Sequence, residues 1–396
     1  MSNKEDSNGH AVRNILNRDY LLSFFAYFFS LAAYFALYPT IPIFLAKSGA
    51  NDREIGTLIG ILGASSLGSR FLVGGALTRY SAKSVMMFGT LLFALTLLAS
   101  IVFPPFWPFL TLRFLQGIAY ACLSTAAVTY AVSIIPAAYR GQGLGYFLLA
   151  PSFGLATGPS FGMFLVNHFS FAGLFLACTL LSVCSFFFSW KLKKQKITRP
   201  DDPVSSHNAL FFEWKIMVPA VTNALQFFVW GAFVAFFPLY AVQCGVKNPG
   251  YFFTANAAML IAGRILGGRI LKTQNKEKVI LIFLFTATIA MVILSFSRTL
   301  PMFIFVGLLW GVGAAFLTPT ILAYALDYSG SSSGTALGTY QAFQDLGMSL
   351  GPMAIGVIIP FTGYRMMFLC LTLICFIDVM YFQFYVRKRG KTALRV

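Results

Sequence analysis

Runs of about 20 apolar residues, separated by short polar stretches, recur along the whole chain, and that is the length a helix needs to cross the hydrocarbon of a bilayer. Twelve spans are predicted, at about 20–46, 55–77, 84–103, 107–135, 141–166, 169–190, 214–243, 251–271, 279–297, 300–327, 333–360 and 364–386. The fifth organises the rest. From Leu144 to Gly162, LGYFLLAPSFGLATGPSFG is interrupted by Gly145, Pro151, Gly154, Gly158, Pro159 and Gly162. In lipid such breakers persist where neighbouring helices satisfy the freed backbone, and small residues four apart let those neighbours approach closely. The pattern returns 193 residues later as LGTYQAFQDLGMSLGP, where Leu337, Gly338, Gly347, Gly351 and Pro352 match Leu144, Gly145, Gly154, Gly158 and Pro159. An offset of 194 pairs Arg70 with Arg264, Gly117 with Gly311 and Tyr130 with Tyr324. The chain reads as a duplicated all-α integral membrane protein, two pseudo-symmetric six-helix bundles at 20–190 and 214–386. A tail at 1–19, a loop at 191–213 and a basic tail at 387–396 flank them.

Composition agrees with this pattern. Of 396 residues, 58% are apolar and 10% charged, against roughly a quarter charged in soluble proteins. A net charge of +17 would suit a nucleic-acid partner, but the charge is sorted by side. The predicted outer loops carry only Lys47, Arg53, Lys247, Arg298 and Arg365, and most other Lys and Arg fall on the side of the termini. The positive-inside rule then places both termini in the cytoplasm, with the chain in the cell inner membrane and no nucleic acid as partner. The first 19 residues are polar and the first apolar run is too long for a signal core, so no cleaved leader is expected. Cys122, Cys178, Cys184, Cys370 and Cys375 fall within spans, and His10, His168 and His207 are scattered. No disulfide framework, metal site or cofactor is expected from these, and no nucleophile, base or phosphate loop points to an enzyme.

Polar residues inside the spans carry the candidate chemistry. Tyr27, Tyr34 and Tyr38 share a face of the first span before the sequence PTIP, and Asn223, Gln226, Trp230 and Phe237 share one in the seventh. Asn and Gln are costly in lipid and turn toward a partner or a cavity. Arg113 opens the fourth span about two turns below the outer surface and has no counterpart in the second copy. Arg70 and Arg264 lie near enough to the inner ends for their stems to snorkel, and membrane anchoring is the first reading for both. Asp345 lies about 18 Å from the inner end of the eleventh span, near the midplane. A carboxyl there must be protonated or paired, which suits a proton carrier and equally a packing hydrogen bond.

These residues resemble motifs of the major facilitator superfamily over about residues 18–390. RFLQGIAYA from Arg113 is similar to that family's fourth-helix motif, whose arginine is linked to proton coupling. GLATGPSFG from Gly154 resembles the fifth-helix motif of its drug and metabolite exporters, and PAAYRGQGLGY from Pro136 the loop leading into it. GTALGTYQAFQDLGMSLGP resembles the same branch. The loop between the second and third spans, GALTRYSAKS, keeps Gly75, Arg79 and Lys83 but has Thr78 where the family has aspartate and Ser81 where it has glycine. Lys272 stands opposite Thr78 in the second copy. Gating therefore rests on other contacts, or outward-facing states are less favoured.

The resemblance implies a secondary transporter, driven by the proton gradient with no other cofactor, that exports a small organic molecule by alternating access. It further implies a monomer whose partners are membrane lipids and the cargo. Asp345 and Arg113 are the expected proton-coupling residues. Tyr34, Tyr38, Gln116, Gln226, Trp230, Gln341 and Gln344 are expected to line a midplane cavity. Gly154, Gly158, Pro159, Gly162, Gly347, Gly351, Pro352, Gly75 and Arg79 are the expected hinge and gate positions. An uptake symporter for an anionic metabolite and a receptor or scaffold without flux are the alternatives.

Overall fold

The computed structural model describes residues 16–102, 106–136, 139–195, 216–266, 275–327 and 333–386. The 1–19 tail for the most part, most of the 191–213 loop, the 387–396 tail and Lys272 lie outside the described residues. Among the described residues there is no strand. The helices are α1 (Arg18–Lys47), α2 (Asp52–Arg79), α3 (Ala82–Ala99), α4 (Trp107–Ile134), α5 (Arg140–Phe147), α6 (Leu149–His168), α7 (Phe171–Trp190), α8 (Met217–Gln243), α9 (Gly250–Leu266), α10 (Lys276–Phe296), α11 (Leu300–Asp327) and α12 (Ser333–Tyr381). A π-helical turn, Phe382–Val386, extends the last of them.

Polar residues start the helices where the apolar runs begin. Asn17 accepts from Tyr20 N, Ser81 from Ser84 N and Ser170 from Gly173 N, each satisfying an amide that has no helical partner. Asn51 and Glu54 form a reciprocal capping box at the start of α2. The predicted fifth span is divided at Leu148 into α5 and α6. The predicted eleventh and twelfth spans run together as α12, broken at Gly363, where φ is +71°, a backbone conformation glycine adopts without a Cβ penalty. Among the described residues, ten segments are long and apolar enough to cross a membrane, with α12 counted once and the 17 residues of α9 not among them. Leu72, Val102 and Phe361 stand at least three-quarters exposed, as side chains facing lipid do.

Lipid supplies no hydrophobic drive between helices, so the bundle is assembled by close backbone approach. A Cβ on Gly158 would lie 2.6 Å from Ala32 O of α1, and Gly162 and Gly154 abut the same helix. Their repeat equivalents Gly351 and Gly347 abut Phe228 O and Ala224 O of α8. These glycines therefore bind helices within each half. The contacts between the halves fall elsewhere. Gly56 of α2 lies against Pro352 O of α12, and its equivalent, Gly250 of α9, lies against Pro159 O of α6. The two breaker prolines thus present their carbonyls across the interface at symmetry-related points. Asn167 Nδ2 donates to Lys247 O at 2.9 Å and Thr254 Oγ1 to Ala156 O at 2.8 Å on the same side.

Toward the other end the halves part. A Cβ on Gly74, Gly75, Gly145 or Gly338 would meet nothing within 4 Å. Thr78 Oγ1 donates back to Gly75 O at 2.8 Å, and Arg79 is exposed. Among the described residues, Gly75 and Arg79, expected at a gate, have no hydrogen-bond or close-packing partner on an opposing helix. Among the described residues, the glycines at the end of the bundle that carries Arg79 and Lys83 have no helix packed on them.

Candidate functional site

A cavity of about 390 Å³ lies between the halves, within the range of small-molecule sites. Its wall is largely aromatic. Tyr34 stacks on Tyr120 with ring centroids 4.6 Å apart, and Trp230 stacks on Trp310 at 6.0 Å. Tyr38, Gln226, Gln344, Asp345, Asn256 and Arg264 complete the part that matters for chemistry. Of the residues expected to line it, Tyr34, Tyr38, Gln226, Trp230 and Gln344 do so. Gln226 also donates to Asp378 Oδ2 at 2.6 Å, which ties the wall to a carboxyl wholly buried behind it.

Asp345 is 5% exposed and belongs to an ion pair that crosses the interface. Arg70 of α2 donates from Nε to Asp345 Oδ2 and from Nη2 to Oδ1, the latter at 3.1 Å. Ser66 Oγ adds a third donor at 3.1 Å, and Arg70 Nη1 lies 3.4 Å from Gln341 Oε1. Arg70 therefore does not snorkel to the membrane surface. Its stem turns inward because the carboxylate on α12 supplies the counter-charge that lipid cannot. Gln341 helps hold that pair instead of standing in the open cavity.

Arg113, expected beside the proton site, is elsewhere. It is 6% exposed, donates from Nε to Leu58 O at 3.1 Å and from Nη1 to Gln116 Oε1 at 2.8 Å. Gln116, 1% exposed, is its partner and not a lining residue of the main cavity. The repeat explains the substitution. The equivalent of Arg113 is Gly307, where a Cβ would lie 2.7 Å from Phe252 O, and Phe252 is the equivalent of Leu58. One copy meets that carbonyl by close packing and the other by a guanidinium.

Arg264 is likewise no anchor. Its Nη1 donates across the interface to Leu148 O at 3.0 Å and Ser152 Oγ at 2.8 Å, and it lines the cavity. Arg70, Tyr120, Asn256, Trp310 and Arg264 were among the residues that composition and periodicity did not place in the site. The repeat pairs Arg70 with Arg264 in the sequence without saying what either one faces.

Helices paired this way about a central, largely aromatic cavity, in two halves built on one repeat, fit a multi-pass membrane transport protein and not an enzyme. The chain belongs to the major facilitator superfamily, whose family model matches residues 23–352 and 250–395. It is 25% identical over 359 residues to the staphylopine export protein of Staphylococcus aureus, covering 86% of this chain and 90% of that one. It is 19% identical over 361 residues to the quinolone resistance protein NorA of the same species, covering 87% and 90%. The crystal structure of the D323A mutant of the nucleoside transporter NupG superposes with a TM-score of 0.76 at 15% identity, covering 93% of this chain and 99% of that one.

Proposed function

We propose that the protein exports small organic molecules in exchange for protons, by alternating access, as a monomer in the cell inner membrane with both termini cytoplasmic. The observation that carries this reading is the Arg70–Asp345 pair. It is the one buried ion pair among the described residues, and it joins α2 of one half to α12 of the other at the cavity wall. An ionised Asp345 holds the halves together in this conformer, which this reading takes as open on the Arg79 side and that side as cytoplasmic. A proton on Asp345 removes the charge that Arg70 grips, and the tie between the halves weakens. The proton on Asp345 and the cargo in the cavity are then linked through this tie, with no other cofactor. The direction rests on the similarity to two proteins named for export and resistance.

One observation favours a second reading, uptake of an anionic metabolite together with a proton. Arg264 faces the cavity with no carboxylate beside it among the described residues. The deciding measurement is substrate-induced proton movement in proteoliposomes, wild type against Asp345→Asn. Movement in the wild type and none in the variant is expected. Equal movement in both removes Asp345 from the mechanism, and substrate flux without protons in either removes proton coupling.

A further inference from the structure

The two arginines that bond across the interface, Arg70 and Arg264, are repeat equivalents, and so are the groups they face. Asp345 corresponds to Ser152 and Gln341 to Leu148. Arg70 spends its Nε and Nη2 edge on the two oxygens of Asp345 and turns Nη1 toward Gln341 Oε1. Arg264 turns Nη1 to Leu148 O and Ser152 Oγ, the same two positions of the repeat, and no described residue accepts from its Nε and Nη2 edge. That edge is the planar fork that fits a carboxylate with two parallel hydrogen bonds. The carboxylate it fits is present in one copy and missing in the other.

We infer that Arg264 is an anion anchor, and that a carboxylate carried by the cargo takes at Arg264 the place that Asp345 takes at Arg70. Three observations support it. The guanidinium opens onto the cavity, where a ligand can reach it. Its orientation is already fixed by two hydrogen bonds that leave the fork free, so little side-chain freedom is lost on binding. Asn256, eight residues earlier on the same face of α9, also lines the cavity, is 2% exposed, and leaves Nδ2 without a partner among the described residues. Eight residues of helix are about 12 Å, so the cavity wall between Arg264 and Asn256 has room for a flat apolar body with a carboxylate at the Arg264 end. Trp230, Trp310 and Tyr120 offer rings to such a body. The proposed class is therefore aryl or aryl-like carboxylates. The inference rests on this cavity being the transport site, as proposed above.

The test compares 1-naphthoate with 1-naphthamide, which share shape and differ in charge, by equilibrium dialysis against the full-length protein in nanodiscs at neutral pH. Wild type is expected to prefer the carboxylate by about tenfold or more, the worth of a charge-assisted hydrogen bond. Arg264→Gln should erase the preference while Arg264→Lys keeps part of it. Ser152→Asp supplies the missing carboxylate from the protein, so it should also erase the preference with Arg264 still in place and the fold undisturbed. Absence of preference in wild type, failure of both probes to bind, or a preference that survives Ser152→Asp overturns the inference. Loss of proton flux alone, with an Arg264-dependent preference intact, overturns only the proton-coupled reading.

Discussion

Replacing Gly56 and Gly250 by alanine should push the protein out of the conformer described here. A Cβ on Gly250 would lie 2.7 Å from Pro159 O, where ordinary contact begins at 3.4 Å, so it is short by about 0.7 Å. At Gly56 the overlap with Pro352 O is greater, and Gly356 Cα at 3.2 Å blocks a sideways shift. Both obstacles are backbone, which cannot rotate away as a side chain would. Overpacking of this kind costs about 1–3 kcal/mol per site, and only the conformer in which α2 meets α12 and α6 meets α9 bears that cost. One such cost shifts the ratio of the two conformers by about 5- to 150-fold. The sites lie in separate symmetry-related contacts and should add. Spin labels at the exposed Arg53, in the first turn of α2, and Thr362, beside the Gly363 break in α12, report the separation by dipolar spectroscopy. The short-distance population should fall in each single variant and further in the double. Gly74→Ala, whose Cβ would meet nothing within 4 Å, should leave it unchanged. An unaltered distance distribution in folded Gly56→Ala/Gly250→Ala protein would refute the assignment of these glycines to the outer closure.

Three shorter predictions follow from the polar groups. Arg70→Gln and Asp345→Asn each strand a buried partner and should cost about 3–5 kcal/mol, whereas the double variant should cost much less than their sum in thermal unfolding; simple additivity would show that the pair is not coupled. Arg113→Met leaves the Leu58 carbonyl and Gln116 without their donor and should lower stability by about 1–3 kcal/mol, while the number of protons moved per substrate stays the same in proteoliposomes. Asp378→Asn should melt near wild type because the amide oxygen still accepts from Gln226, and Asp378→Leu should melt lower because Gln226 Nε2 is then buried without an acceptor.

The spans and their duplication were legible because both are one-dimensional. Apolar length, breaker spacing and an offset of 193 or 194 are properties of the string, and the fold repeats them down to matched contacts such as Gly117 on the Leu62 carbonyl and Gly311 on that of Asn256. Asp345 could be singled out for the same reason, as an acid deep in an apolar run. Its partner could not. Arg70 lies 275 residues away in the other half, and periodicity gives the face of a helix without giving the helix opposite. A long cationic stem reaches either the surface or the interior from that depth, and only the position of a carboxylate decides which. Arg113 shows the converse. A motif that marks an arginine for proton coupling in relatives does not say which carbonyl or amide that arginine meets here.

Under the two proposals above, a proton on Asp345 and a carboxylate at Arg264 are linked through the cavity's charge, and the sign of that link separates exchange from symport. With Asp345 ionised, Arg70 is neutralised by its partner, and Arg264 lines the cavity with no carboxylate beside it among the described residues. Protonating Asp345 removes a negative charge from the cavity wall and frees Arg70, so the cavity becomes more positive. A carboxylate should therefore bind more tightly to the protonated protein, and by reciprocity its binding should favour the proton on Asp345. Asp345→Asn fixes the uncharged form, so naphthoate should bind that variant more tightly than wild type at neutral pH, while naphthamide should bind both alike. That result would mean proton and anion occupy the cavity together, which is the requirement for symport and weighs against exchange for anionic cargo. Exchange needs the opposite sign, supplied by a cargo whose donor group competes with the proton for Asp345. Equal naphthoate affinity in the two proteins would refute the electrostatic link between the two arginines and leave proton and cargo to be coupled through the conformational change alone.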